Sequence, residues 1–125
     1  MAVENLEEAV ATYERVFGGA VEHRGTLEDQ GIEAVSVRLG EGRVELMSSL
    51  GVETPVGKFL AKRGPGMHHV AYEVADLPAA LHQLASDGAE LIDETPREGL
   101  FGLQVAFVHP DSAHGVLSEI VTDGQ

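Results

Sequence analysis

The stretch MHHVAYEVADL, residues 67–77, runs alternating apolar positions into a helix start. Upstream, VENL at Val3–Leu6 parallels VADL at Val74–Leu77, an offset of 71 residues. An internal repeat of this length makes the chain two versions of one supersecondary unit. In the first version Asn5 is placed to cap a helix, with Glu8 completing a capping box. Leu6, Val10, Tyr13 and Phe17 form its apolar stripe and Gly18–Gly19 its stop. In the second, Asp76 caps, Pro78 lies in the tolerated first turn, and Leu77, Leu81, Leu84 and Ala85 form the stripe before Gly88.

Three strand-like runs follow each helix: residues 20–23, 34–39 and 43–47, then 90–92, 103–109 and 116–121. A short connecting helix is expected over residues 54–63, with Thr54 as cap, Pro55 at its first position and Gly64 as its end. The expectation is a single α+β domain of paired βαβββ modules forming an open, cupped, mixed sheet. Module 1 covers about residues 1–50 and module 2 about 67–122. The first strand of module 1 is missing, because the counterpart of Val70–Glu73 falls largely before Met1. Either the chain begins inside a longer one or the domain lacks an edge strand. The simpler account is a shortened chain, whose upstream codons encode a strand with His three residues before Met1.

Composition narrows the function classes. At 125 residues with a formal charge of −13, the chain repels nucleic acid and acidic membrane surfaces. It contains no cysteine, which rules out disulfides, thiolate metal sites and a cysteine nucleophile, and fits a cytoplasmic protein. No apolar run is long enough for a transmembrane helix. Gly64–Gly66 lacks the spacing and Lys-Ser pair of a phosphate-binding loop, and no G-x-S-x-G elbow occurs.

Alternation along a strand separates the adjacent histidines. His68, Val70, Tyr72 and Val74 share a face suited to packing under helices; His69 lies on the other, with Ala71 and Glu73. By the same rule Glu45 opposes Val44 and Leu46, and Glu119 opposes Ser118 and Ile120. Glu45 and Glu119 occupy equivalent repeat positions, so His69, Glu45 and Glu119 form a candidate site for a hard or borderline divalent cation. The plainer alternatives are a packed strand histidine and two solvated carboxylates. His23, His82 and His109 read as surface or cap residues and Glu28 as a turn residue, while His114, in the loop before the last strand, is either within reach of a ligand at the cleft mouth or an ordinary loop residue. Lys58, Lys62 and Arg63 form a cationic group that is either an anion landing site or a solvated helix end.

The stretches PVGKFLAKRGPGMHHVAYEV and DETPREGLFGLQVAFVHPDSAHGVLSEIV closely resemble methylmalonyl-CoA epimerases of the vicinal oxygen chelate superfamily. The resemblance implies a divalent metal, cobalt or manganese, held by Glu45, His69 and Glu119. It implies no residue of this chain for the family's first-strand histidine. It further implies that Glu28 and Glu119 are the two proton-transfer groups, that the substrate is an acyl-CoA and that the protein is a homodimer. Two rivals remain: a glyoxalase-like lyase or isomerase acting on hemithioacetals, and a metal-free small-molecule binding protein.

Overall fold

A computed structural model describes residues 1–122 and divides the chain into two compact units, Met1–His68 and His69–Gln125. In the first unit α1 (Leu6–Arg15) begins where the Asn5 side chain accepts from the Glu8 amide at 2.9 Å. Strands β1 (Ala20–Leu27), β2 (Ile32–Leu39) and β3 (Gly42–Ser49) form an antiparallel sheet in that order. Leu6 and Val10 of α1 pack on Val35, Val37 and Leu46, which the register places on one face of the sheet. Tyr13 is partly buried against this cluster. Phe17 lies beyond the helix and is 59% exposed, so the expected apolar stripe ends one turn early.

The second unit has the order β4-β7-β6-β5, from β4 (Val70–Glu73), β5 (Arg97–Glu98), β6 (Gln104–Val108) and β7 (Ser118–Thr122). Strand β4 runs parallel to β7 and the other pairs are antiparallel, so this sheet is mixed. Helix α3 (Leu77–Ser86) starts where Asp76 accepts from the Ala79 amide, and it buries Leu77 and Leu81 against Ala106, Val108 and Ile120. Three details of the second half differ from expectation. Ala80, not Ala85, completes the helix stripe. Tyr72 is 56% exposed instead of packed beneath a helix. Residues 90–92 contribute only a single bridge, Leu91 to Val108, while the short edge strand forms at Arg97–Glu98.

The repeat extends to hydrogen-bond register. The Val74 amide donates to Val121 O at 2.9 Å where β4 leaves β7, and the Val3 amide donates to Met47 O at 2.8 Å in the first unit. Ala2 forms a parallel bridge with Met47, as Glu73 pairs in parallel with Val121. Residues 1–3 thus lie on β3 as the end of β4 lies on β7.

Helix α2 (Pro55–Arg63) is capped by Thr54, whose hydroxyl accepts from the Gly57 amide at 3.0 Å. Gly57 is buried, and a Cβ there would strike the Gly51 carbonyl and come within 2.8 and 2.9 Å of the Ser49 and Thr54 hydroxyls. Helix propensity favours Gly57→Ala, but the crowding dominates. The variant should lose about 1–3 kcal/mol in denaturant unfolding.

On β1 the pairing register shifts between Val21 and His23, which leaves Glu22 as the extra residue of a bulge. Its carboxylate accepts from Arg43 Nε at 2.5 Å and Arg38 Nε at 2.9 Å. These two hydrogen bonds, Arg43 first, hold the Glu22 carboxyl below the usual carboxylate range. A depressed folded value stabilises the protein above the unfolded pKa of about 4.3, and that stabilisation is lost as pH falls through the folded value. Glu22→Gln should therefore lower the thermal midpoint at pH 7, and the gap from the unsubstituted protein should close on acidification to about pH 3.

Candidate active site

In the second unit Ala106, Val108 and Ile120 face α3, so the pleat turns Phe107 and Glu119 to the opposite face. Phe107 and Glu119 are direct cross-strand neighbours, and Ala71 flanks Glu119 on β4. His69 immediately precedes β4. Its Nε2 lies 3.6 Å from Glu119 Oε2, with the two side chains only 7% and 12% exposed. The Phe107 ring meets the His69 imidazole edge-on, 5.8 Å between centroids. A sheltered imidazole beside a carboxylate offers two donors that can share a cation. At about 2.1 Å from each ligand a metal ion bridges donors up to about 4.2 Å apart, so this pair fits two positions of one coordination sphere.

Phe107 also carries Arg97, whose guanidinium carbon stands 5.4 Å above the ring centroid. Asp93 ties the arrangement together. Its Oδ2 accepts from the Phe107 amide at 2.9 Å and lies 3.4 Å from Arg97 Nε. Nothing in the spacing of the eight lysines and arginines singles out Arg97. The alternation of β6 offered a signal, since it places Phe107 on the Glu119 face, but the stack itself depends on the β5–β6 register.

In the first unit Glu45 is on β3 opposite Ser36, on the face turned away from the α1 cluster. Burial pushes its carboxyl above the usual carboxylate range, against the opposing effect of the amino terminus. Glu45 and Glu119 hold matching places in their sheets: each lies two residues before the residue paired with the incoming parallel segment, Met47 and Val121. Glu28 is exposed in the turn between β1 and β2, past the Leu27–Ile32 pair. That is four residues along β2 from Ser36, roughly 13 Å at strand rise. Among the described residues no group of three or more His, Cys, Asp or Glu side chains stands close enough to hold a metal ion. Of the four expected site residues the structure brings His69 and Glu119 together, with Glu45 and Glu28 in the other unit.

His68 packs its ring edge-on against Phe59 of α2, 5.2 Å between centroids. Burial lowers its pKa and favours the neutral imidazole. His109 caps the turn at Pro110 by accepting from the Asp111 amide through Nδ1. No helix among the described residues is long and apolar enough to cross a membrane.

Residues 1–107 match the model of the glyoxalase/bleomycin resistance protein/dioxygenase superfamily. The mitochondrial methylmalonyl-CoA epimerase of Dictyostelium discoideum is 36% identical over 121 residues, covering 96% of this chain and 73% of that protein. The crystal structure of methylmalonyl-CoA epimerase from Mycobacterium tuberculosis superposes with a TM-score of 0.91 at 34% identity, over 98% of this chain and 83% of that one. A methylmalonyl-CoA epimerase solved in complex with methylmalonyl-CoA and ammonium superposes with a TM-score of 0.91 at 30% identity, over 98% and 89%.

Proposed function

Because the chain belongs to the glyoxalase/bleomycin resistance protein/dioxygenase superfamily, with methylmalonyl-CoA epimerases among its relatives, we propose that it interconverts (2R)- and (2S)-methylmalonyl-CoA. The observation that carries this reading is the sheltered His69–Glu119 pair at 3.6 Å on the sheet face turned from α3. Epimerisation removes the C2 proton from one side of the substrate and returns a proton to the other, which calls for two acid/base groups. Glu119 and Glu28 take these roles. Burial of Glu119 beside an imidazole supports its part. For Glu28 the support is the match of its turn to the family pattern.

His69, Glu119 and Glu45 would hold a divalent metal, cobalt or manganese. When bound, the metal supplies positive charge to meet the negative charge that spreads onto oxygen as C2 loses its proton. Phe107 shields the imidazole, and Glu119 presents the carboxylate on the same face. A homodimer in the cytoplasm completes the proposal. Support for the dimer comes from β4, which ends the order of its sheet among the described residues, since a sheet edge can pair with another chain. Support for the compartment is the cysteine-free composition.

One epimer incubated with enzyme and metal in deuterium oxide should gain deuterium at C2 and lose stereochemical purity. Glu119→Gln should lower the rate by about 10²–10⁴-fold. Glu28→Gln should let one epimer exchange without inverting. Chelation should abolish turnover and added cobalt or manganese restore it. A metal-supplied protein that binds acyl-CoA without exchange would instead be a binding module.

A further inference from the structure

Arg97 is 46% exposed, and Asp93 and Phe107 are its partners among the described residues. Asp93 engages the guanidinium at Nε, the nitrogen nearest the chain, and Phe107 supports its flat face. The two terminal nitrogens, the fork that grips a carboxylate or phosphate in two places, are left without a hydrogen-bond partner among the described residues. Asp93 is itself held by the Phe107 amide, so the cation is braced on two sides before any ligand arrives. The brace is also part of the site: the ring beneath Arg97 is the ring that packs against His69, on the Glu119 face.

A guanidinium kept only for solubility needs no such support, and a stacked, half-exposed one loses little freedom when it binds an anion. The protein's charge of −13 makes the feature more telling. A polyanionic acyl-CoA meets a repulsive surface over most of the molecule, so a braced cation beside the reactive pair is where an anionic group would be accepted.

We propose that Arg97 is a substrate-anchoring residue whose guanidinium fork binds an anionic group of the acyl-CoA, either the free carboxylate of the acyl part or a phosphate of the carrier. This inference rests on the acyl-CoA reading of the site, so its test combines turnover with direct binding. Calorimetric titration with methylmalonyl-CoA and steady-state kinetics would be run on the unsubstituted protein, Arg97→Ala, Arg97→Gln and Arg97→Lys, each first shown to be folded by circular dichroism.

Arg97→Ala and Arg97→Gln should raise both Kd and KM by roughly tenfold or more while leaving kcat within about threefold, as loss of one charged hydrogen-bonded contact implies. Arg97→Lys, which keeps the charge but not the fork, should recover part of the loss. Methylmalonyl-pantetheine, which has the carboxylate but no phosphate, separates the two sources. If the fork holds the carboxylate, the penalty in Arg97→Ala persists with this substrate; if it holds a phosphate, the penalty disappears. Unchanged Kd and KM in Arg97→Ala, with the unsubstituted protein active, would overturn the anchoring role alone. Failure of the unsubstituted protein to bind methylmalonyl-CoA would overturn both this role and the acyl-CoA reading.

Discussion

Each sheet packs one face beneath a helix, and the strand pleat sends every second residue to the other face. In the second unit Ala106, Val108 and Ile120 are committed to α3, which leaves Phe107 and Glu119 no direction but the opposite one. A slip of one residue in β7 would bury the Glu119 carboxylate against leucines and expose Ile120, a cost no local adjustment offsets. The apolar packing on one side therefore fixes the chemistry on the other. The first unit obeys the same constraint: Val35, Val37 and Leu46 hold α1, while Ser36 and Glu45 face away.

On this scaffold the polar groups divide by the work that their surroundings allow. Glu22, braced by two arginines on an exposed bulge, is an ion-paired carboxylate whose place is structural. Glu45, its carboxyl raised by burial, and Glu119, sheltered beside His69, are enclosed carboxylates. Such groups are costly to the fold unless a ligand or cation repays the desolvation. The contrast between the two adjacent histidines follows the same logic. His68 is an aromatic packing element against Phe59, and His69 is a polar group held against a carboxylate.

Local rules made much of this legible. Asn5, Thr54 and Asp76 all cap the helices that their spacing announced, because a cap is settled within four residues of chain. The company of His69 with Glu119 followed from alternation and the repeat. What escaped was set by distant contacts. Residues 90–92 look like a strand and do run beside β6, but they make only the Leu91–Val108 bridge and two flanking backbone hydrogen bonds, while Arg97–Glu98 pair with Gln104 and Val105 farther along. Tyr72 has the pattern of a covered residue, yet nothing in its sequence neighbourhood says how far α3 reaches. Arg97 gained its place through a ring ten residues away and a carboxylate four residues before it, an arrangement that no single window of sequence displays.

The double duty of Asp93 has a consequence for how the second unit moves. One oxygen accepts the Phe107 amide and also faces Arg97, so a backbone hydrogen bond and a side-chain ion pair share an anchor. Opening of the segment before β5 cannot release the guanidinium without also uncovering the amide of β6. Local unfolding there becomes a single cooperative event, and the hydrogen-exchange protection of one amide, that of Phe107, reports whether the aromatic support of His69 is intact.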